Sequence, residues 1–304
     1  MMKIAEKSRV ALGFFRIDDK SKKEINNMFV SAMDTGINFF DHADMYGGNH
    51  KCEARFGESL DISDDVREKI FIQTKCGIRN GVYGSYYDSS KEHILDRVDG
   101  SLKALQTDYL DYLLLHRPDT LIEGEEVGEA FDQLYSSGKV RKFGVSNFTP
   151  SQLEYLQKYC NQKLCINQVQ LSVVHSPIID SGLNMNTFFD GGIDRDGGTL
   201  EYSRLNDITL QAWSPLQYGW FEGVFLGSEK YSDLNKELNL LADRYNVDPI
   251  TISIAWILRH PAKIQALIGT TNPERIEKCA KAMEILLTRE EWYHLYILAG
   301  HRIL

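Results

Sequence analysis

The stretches IFIQTK (70–75) and YLDYLLLH (109–116) are short apolar runs that each end in an ionisable residue, Lys75 or His116. An amphipathic segment near 91–105 lies between them and carries apolar residues at helical spacing. Two strands joined by such a helix form a βαβ unit, in which the strands run parallel and end at the same edge of a sheet. These stretches therefore predict a parallel α/β fold with a lysine and a histidine at neighbouring strand ends.

The same alternation of apolar strand and amphipathic helix recurs along the chain and gives eight units. Eight such units can close into a (β/α)8 TIM barrel. An open doubly wound sheet would normally place a nucleotide on a G-x-G-x-x-G loop after its first strand, and the sequence contains no such motif. The predicted strands cover 10–15, 37–40, 70–74, 109–115, 142–145, 166–169, 208–213 and 264–268, and the predicted helices cover 21–35, 50–60, 91–105, 125–137, 150–160, 199–206, 232–245, 249–259 and 273–285.

The length of 304 residues would allow two average domains. However, α/β barrels commonly use about 250 residues as one domain, so we expect residues 1–304 to form a single barrel domain. Two segments near 172–198 and 214–231 are rich in glycine and aromatic residues and interrupt the alternation. They are predicted to be long loops, of the kind that often act as lids or binding loops.

The chain has a formal net charge of −9, with its acids spread along the sequence. No basic surface is predicted, so nucleic acid and anionic membranes are not expected as partners. The five cysteines lack C-x-x-C spacing, which favours reduced thiols, and no metal site is predicted. The N-terminus is too polar for a signal peptide, and no run approaches the roughly 18 apolar residues of a membrane span. A cytoplasmic protein is expected.

Four polar residues stand at or beyond predicted strand ends. Asp41 follows the second apolar run, Lys75 the third and His116 the fourth, and Tyr46 lies in the loop five residues after Asp41. The active sites of α/β barrels lie at the carboxyl ends of the strands, so we expect these side chains to gather at one barrel mouth. A lysine at the inner end of a buried strand must find a counter-charge or lose its proton, and Asp41 can provide that charge.

These four residues can be interpreted as one proton-transfer device. A nearby ammonium favours the phenolate of a tyrosine, so Lys75 is expected to bring the pKa of Tyr46 closer to neutral pH. His116 would orient a carbonyl oxygen and donate a hydrogen bond as negative charge grows on it. Such a device supplies a proton but no electrons, so a hydride donor must bind elsewhere in the chain.

Seven motifs stand in order along the chain: FFDHADMYG (39–47), IQTKCG (72–77), DYLLLHRPD (111–119), GKVRKFGVSNF (138–148), NQVQLS (167–172), AWSPL (212–216) and IGTTNPERI (268–276). In these motifs the chain resembles the aldo-keto reductase superfamily, and within it the bacterial oxidoreductases in which GTT stands before NPERI and HRPD follows the fourth strand. The resemblance implies a TIM barrel and an NADPH-dependent reduction of a small-molecule aldehyde or ketone, with Tyr46 as proton donor and Asp41, Lys75 and His116 completing a catalytic tetrad.

The resemblance also implies where the nicotinamide of the cofactor binds. Ser146, Asn147 and Gln168 would hold its carboxamide and Trp213 would stack on its ring, with Ser214 and Leu216 of the same AWSPL motif nearby. Ser146 and Asn147 follow an apolar strand and offer both donors and acceptors to an amide, which suits this role. Thr149 and Pro150, which come next, also predict a helix start.

A phosphate site is predicted after the last strand. The exposed amides and the positive dipole end of a helix beginning at Pro273, with Asn272 as its cap, favour an anion, and nearby hydroxyls and Arg275 can complete the pocket. The lysine that often contacts the 2′-phosphate in the family is Gly269 here, whereas Lys278 replaces an acid and can restore charge. NADPH is the favoured cofactor and NADH the alternative. The predicted contacts in this segment are Gly269, Thr270, Thr271, Asn272, Arg275 and Lys278.

The substrate pocket is predicted to have an aromatic wall and one anion contact, from Arg16 or Arg117. The alternative is that these arginines pair with acids at the rim, such as Asp18, Asp44 or Asp119. Two other functions remain open at this point. One is a Schiff-base aldolase that uses Lys75, and the other is a non-catalytic subunit that binds a nicotinamide cofactor and regulates a partner. The physiological substrate and the oligomeric state are not identified by the sequence. The candidate substrate-facing residues are Phe14, Phe15, Arg16, Tyr83, Tyr86, Arg117, Tyr218, Trp220 and Phe221.

Overall fold

The structure, a computed structural model, describes residues 6–219 and 222–303. Eight parallel strands close into a barrel in the order β1-β10-β9-β8-β7-β6-β3-β2, which confirms the predicted TIM barrel. Strands β4 and β5 form a separate antiparallel hairpin. The strands are β1 (Val10–Gly13), β2 (Phe39–Asp41), β3 (Phe71–Cys76), β4 (Ile78–Gly81), β5 (Gly84–Tyr87), β6 (Tyr112–Leu115), β7 (Phe143–Ser146), β8 (Leu164–Gln170), β9 (Thr209–Trp213) and β10 (Gln265–Ile268).

The helices are α1 (Lys22–Asp34), α2 (Lys51–Ser59), α3 (Asp64–Arg67), α4 (Lys91–Leu105), α5 (Gly124–Ser136), α6 (Pro150–Gln157), α7 (Pro177–Leu183), α8 (Thr199–Leu205), α9 (Ser232–Tyr245), α10 (Pro249–Leu258), α11 (Pro273–Ala280) and α12 (Arg289–Leu298). Most of the helices that surround the barrel bury one apolar stripe, whereas α10 is buried on nearly all sides and the short α3 buries only Arg67.

The helix starts follow the predicted chemistry of the caps. Thr149 and Gln152 form a reciprocal capping box at α6, with Pro150 in the first turn. Asn272 caps α11, because its side chain accepts a hydrogen bond from the backbone N–H of Arg275. Both predicted caps are therefore confirmed.

Several elements were not predicted, among them the single-turn helix α3 (Asp64–Arg67). The β4–β5 hairpin has mostly exposed residues, so it lacks the alternation of apolar and polar positions that marks a half-buried strand. Helix α7 lies within the segment predicted as a long loop at 172–198. Helix α12 follows the last predicted helix, although its start carries a readable signal: Thr288 and Glu291 form a capping box.

All five cysteines lie in the described part of the chain, and none of them forms a disulfide. The same part of the chain contains no helix that combines the length and the apolar character needed to span a bilayer.

Close packing between α2 and α4 depends on Gly57. A β-carbon at this position would collide with the backbone carbonyl of Ala104 and with the backbone of Leu105. We expect Gly57→Ala to destabilise the protein by about 1–3 kcal/mol, because backbone on both sides must shift to admit one methyl group. Urea unfolding of the variant and of the parent protein measures this loss.

Gly182→Ala is the matched control. A β-carbon at Gly182, inside α7, would meet only the Glu201 carboxylate, at 3.9 Å. This change should be neutral or should stabilise the protein by up to about 1 kcal/mol, because alanine favours the helix. Equal losses in the two variants would contradict the role of Gly57 in the α2–α4 contact.

Candidate active site

The four predicted tetrad residues meet at the carboxyl-terminal mouth of the barrel. Asp41 is the last residue of β2, Lys75 lies near the end of β3, and His116 follows β6. Parallel pairing of β2 with β3 and of β3 with β6 brings these strand ends side by side. The loop after β2 returns over the mouth and places the Tyr46 ring above Lys75, with 4.9 Å from the ammonium nitrogen to the ring centroid.

A buried ion pair lies at the centre of this group. Lys75 Nζ donates to Asp41 Oδ1 at 2.8 Å, to Asp41 Oδ2 at 2.7 Å and to the carbonyl oxygen of His42 at 2.6 Å. The Lys75 side chain is 0% exposed. Burial lowers the pKa of Lys75, but Asp41 and Tyr46 raise it by more, so the pKa lies above its ordinary value. Lys75 is therefore a fixed positive charge at neutral pH.

Tyr46 lies between this charge and His116. The Tyr46 and His116 rings meet edge to face, with 5.7 Å between their centroids. Burial raises the pKa of Tyr46, and Lys75 lowers it by less, so the net pKa lies above its ordinary value. The expected net fall in this pKa is therefore wrong for the protein without a cofactor, because loss of water around the phenol outweighs the attraction of Lys75.

His116 is held neutral. Burial lowers its pKa well below the ordinary value, and the positive charges of Lys75 and Arg117 lower it further. Among the described residues, its buried Nδ1 atom has no hydrogen-bond partner. The imidazole is thus an uncharged group next to the tyrosine.

Below Asp41, the barrel interior holds a chain of buried glutamines. Gln73 and Gln168 donate to Asp41 Oδ1 at 2.6 and 3.2 Å, and both also donate to Gln211 Oε1 at 2.9 Å. Gln211 in turn donates to Gln265 Oε1 at 2.8 Å. These contacts supply hydrogen bonds to a carboxylate that has no access to water, which is what a buried charge requires.

The loop that carries Tyr46 is anchored by buried acidic residues for which the sequence predicts no such role. Asp44 is buried and pairs with Arg97 on α4 at 2.7 Å. Glu53 on α2 is also buried and accepts hydrogen bonds from Thr74 and Ser101 at 2.5 and 3.1 Å. The sequence offers little sign of this, because an acid on an amphipathic helix is normally solvated.

The predicted nicotinamide-binding residues come together beside the tetrad. Ser146 Oγ donates to the carbonyl oxygen of Gln168 at 2.9 Å, and Asn147 Nδ2 donates to Ser146 Oγ at 2.8 Å. Trp213 Nε1 donates to Asn147 Oδ1 at 3.1 Å. Since Gln168 also contacts Asp41, this cluster and the tetrad share one mouth.

Ser214 and Leu216 follow Trp213 into the loop after β9. The backbone of Ser214 is left-handed, with φ at 51°. The carbonyl of Leu216 accepts a hydrogen bond from Phe225 N at 3.1 Å, and its side chain packs against the core.

The predicted phosphate segment lies next to β1, since β10 pairs with β1 in the closed barrel. Thr270 Oγ1 accepts a hydrogen bond from the backbone N–H of Asn272 at 3.2 Å. Gly269 and Thr271 are half-buried in this loop, and Arg275 is exposed on the first turn of α11. The segment has the predicted form, a loop that leads into a capped helix.

Lys278 lies one turn beyond Arg275 on α11. Its Nζ forms an ion pair with Asp248 Oδ2 at the start of α10, at 2.8 Å, and this contact raises the pKa of Lys278. That Lys278 adds positive charge at the phosphate site stays a prediction.

Two predicted substrate-facing residues lie elsewhere. The Phe14 ring is fully buried and packs on His42, with 5.3 Å between centroids, and edge to face on Phe56. Arg16 Nη2 donates to the carbonyl oxygen of Gly269 at 2.7 Å, which places this side chain at the phosphate segment. The prediction for Phe14 is wrong, because this residue turns into the core. Arg16 turns towards β10, and its contact with a substrate stays a prediction.

Phe15 and Arg117 do lie at the mouth. The partly exposed Phe15 ring meets Tyr46 edge to face, with 4.8 Å between centroids. The Arg117 guanidinium lies over the Trp213 ring at 5.8 Å from its centroid. An aromatic wall and a cation therefore lie close to the tetrad.

The remaining candidates lie farther out or cannot be placed. Tyr83 is fully exposed between β4 and β5, and Tyr86 contacts Arg79 on the same hairpin. Tyr218 packs against Tyr231 in the loop after β9. The predictions for Trp220 and Phe221 fall outside the described residues.

Removing the counter-charge of Lys75 should destabilise the fold. We expect Asp41→Asn to lower the free energy of unfolding at pH 7 by about 3–5 kcal/mol, because it leaves a buried ammonium unpaired. The double change Asp41→Asn with Lys75→Met should recover part of this loss. Denaturant unfolding compares the variants.

Asp233→Asn serves as the control, since the Asp233–Lys236 pair is exposed to water. Its cost should stay below about 1 kcal/mol. If Asp41→Asn costs no more than Asp233→Asn, the buried pair does not carry the stability assigned to it.

Comparison with known proteins finds relatives that match nearly the whole chain. The sequence profile of the Aldo/keto reductase family matches residues 9–298. A 6-dehydroglucose reductase of Agrobacterium fabrum is 37% identical over 97% of this chain and 95% of its own length. Oxidoreductase YdhF of Escherichia coli is 36% identical over 95% of this chain and 93% of its own length.

Solved structures share the fold. The thermostable aldo-keto reductase Tm1743, solved with the inhibitor epalrestat, superposes with a TM-score of 0.75 at 27% identity, covering 96% of this chain and 95% of that one. An aldo-keto reductase of Klebsiella pneumoniae, solved with NADPH, gives a TM-score of 0.75 at 22% identity, covering 97% and 92%. By its sequence over nearly its whole length, this chain belongs to the aldo/keto reductase family of oxidoreductases.

Proposed function

We propose that this protein reduces an aldehyde or ketone to an alcohol with NADPH, and that Tyr46 donates the proton. The observation that carries the proposal is the buried Asp41–Lys75 ion pair beneath the Tyr46 ring. A buried charge fixed against a phenol favours loss of the phenol proton, which is the event that completes a carbonyl reduction.

The cluster beside the tetrad suits a nicotinamide. Ser146, Asn147 and Gln168 present a hydroxyl and two amides, which match the donors and acceptors of a carboxamide. The left-handed backbone of Asn147, with φ at 62°, turns the chain at the end of β7 and brings its amide to Trp213. Bound there, NADPH would supply the hydride that adds to the carbonyl carbon.

The proton reaches the carbonyl oxygen from the protein. As the carbon gains a hydride, negative charge grows on the oxygen, and the Tyr46 O–H bond breaks as a new O–H bond forms on the product. The phenolate left behind faces the Lys75 ammonium, which lowers its energy. Asp41 keeps that ammonium charged and in place.

His116 would stabilise the same oxygen without giving up a proton. Its lowered pKa makes the ring neutral, so it carries one N–H. A tautomer protonated on Nε2 leaves no unpaired N–H at the buried Nδ1 position. We infer that Nε2–H donates to the carbonyl oxygen, which orients the substrate between His116 and Tyr46.

The alternative of a Schiff-base aldolase fits this site poorly. Attack on a carbonyl requires a neutral amine, whereas the raised pKa of Lys75 keeps it an ammonium. A non-catalytic regulatory subunit would not need all four tetrad residues in contact. These observations favour the reductase.

The substrate class is a small carbonyl compound. Phe15 offers an apolar face beside Tyr46, and Arg117 offers a cation nearby. Because two relatives carry the name 6-dehydroglucose reductase, 6-dehydroglucose belongs in the assay panel with simple aldehydes and ketones.

Tyr46→Phe tests the proposed proton donor. The variant should still bind NADPH, but turnover should fall by roughly 10²–10⁴-fold, the usual contribution of a positioned acid. Fluorescence titration measures binding, and the loss of NADPH absorbance with an aldehyde measures turnover.

Tyr135→Phe is the matched control, since it removes the same hydroxyl from an exposed position on α5, and its turnover should equal that of the parent protein. Undiminished turnover in Tyr46→Phe would exclude this residue as the acid. If the parent protein binds NADPH but reduces nothing in the panel, the result favours the non-catalytic regulatory subunit over the reductase.

A further inference from the structure

We propose that Arg16, in the loop after β1, recognises the 2′-phosphate of NADPH and makes this protein select NADPH over NADH. The proposal rests on the proposed function, because it concerns the cofactor that this function requires. Gly269, at the start of the predicted phosphate segment, has no side chain that could contact a phosphate.

The Arg16 guanidinium takes the place of a side chain at position 269. Arg16 Nη2 donates to the carbonyl oxygen of Gly269 at 2.7 Å. A β-carbon built on Gly269 would have Arg16 Nη2 as its nearest neighbour, at 3.7 Å, with no other atom within 4 Å. The cation therefore lies next to the space that a side chain at position 269 would enter.

The charges around the segment leave two cations for a phosphate. Lys278 is paired with Asp248. In the described part of the chain, no carboxylate lies within ion-pair distance of Arg16 or Arg275. Both guanidiniums are exposed. Arg16 contacts Gly269, at the start of the loop that contains Thr270 and Thr271, and Arg275 follows this loop on the first turn of α11. Since the chain has a net charge of −9, such an uncompensated pair is a local feature that favours an anion.

The fold presents Arg16 on a fixed base. On one side, Phe14 is buried in the core and its N–H donates to the carbonyl oxygen of Asp41 at 2.9 Å. On the other side, Ile17 is fully buried. Ser31 on α1 also donates to the carbonyl oxygen of Pro273 at 3.0 Å, which ties α1 to the start of α11. The backbone around Arg16 is thus held against the phosphate segment.

A guanidinium in this position suits a phosphate monoester. Its hydrogen bond to Gly269 uses one of five N–H donors, so the others remain for a ligand. Arginine can contact a phosphate through two parallel hydrogen bonds, which adds directional specificity to the attraction between the two charges. NADH carries a hydroxyl at the same ribose position, so it would gain little from Arg16.

The experiment compares Arg16→Met with the parent protein by fluorescence titration with NADPH and with NADH. Adenosine 2′,5′-bisphosphate and AMP serve as fragments that differ only in the 2′-phosphate. We expect the Kd for NADPH and for the bisphosphate to rise about tenfold or more, as for loss of a charged hydrogen bond. The Kd for NADH and for AMP should stay within about twofold of the parent values.

A second variant adds the missing charge by another route. In the double variant Arg16→Met with Gly269→Lys, the new lysine brings an ammonium to the space that the Arg16 guanidinium occupies in the parent protein. The structure has room for a β-carbon at position 269. This double variant should regain a preference for NADPH. Lys281→Met removes one exposed positive charge just beyond α11 and should leave every Kd unchanged.

The outcomes separate this inference from the proposed function. A parent protein that binds neither dinucleotide overturns both. If the parent protein prefers NADPH and Arg16→Met prefers it equally, only the role of Arg16 is overturned. An equal loss of NADPH and NADH affinity in Arg16→Met also overturns it, because Arg16 would then contact a part that both cofactors share.

Discussion

The ammonium of Lys75 is fully buried, and the architecture of the barrel mouth depends on keeping it charged. An ammonium without water or a counter-charge would lose its proton. Asp41 prevents this by pairing with it, and parallel pairing of β2 with β3 is what places the two residues together. The positive charge then acts on the two groups around it, the Tyr46 phenol and the His116 imidazole.

The free-energy cost of burying the Lys75–Asp41 ion pair is offset by hydrogen bonds from polar side chains inside the barrel. Barrel interiors are commonly filled by branched apolar residues, yet here glutamines lie directly beneath Asp41 and bond to one another. An amide both donates and accepts hydrogen bonds, so each glutamine can bond to its neighbour on either side and the hydrogen bonds form a continuous series through the barrel. Removing water from the mouth thus leaves the carboxylate fully hydrogen-bonded.

Closure of the barrel connects the tetrad to the cofactor site. Pairing of β1 with β10 sets the loop after β1 against the segment that begins at Gly269. One loop therefore serves two regions: Phe15 meets Tyr46, and the next residue, Arg16, turns to Gly269. Phe15 and Arg16 lie in a turn, and their side chains leave it in different directions, which is how the chain contributes to both regions.

The sequence by itself determined the barrel, the tetrad and the caps of α6 and α11, because periodicity, strand-end position and capping chemistry are local properties. The family resemblance of the sequence also implied that Ser146, Asn147, Gln168 and Trp213 belong to one group. Only the tertiary structure decided the partners of long side chains. Lys278 turned out to pair with Asp248 and Arg16 to reach Gly269, 253 residues away.

The burial of Phe14 and the rise in the pKa of Tyr46 were decided in the same way, since both depend on how much water the surrounding elements exclude. The β4–β5 hairpin escaped prediction for a related reason, because its exposed faces leave no apolar pattern in the sequence. Pattern and spacing specify which face of an element is buried. Contacts between distant loops depend on barrel closure, which brings the first strand beside the last.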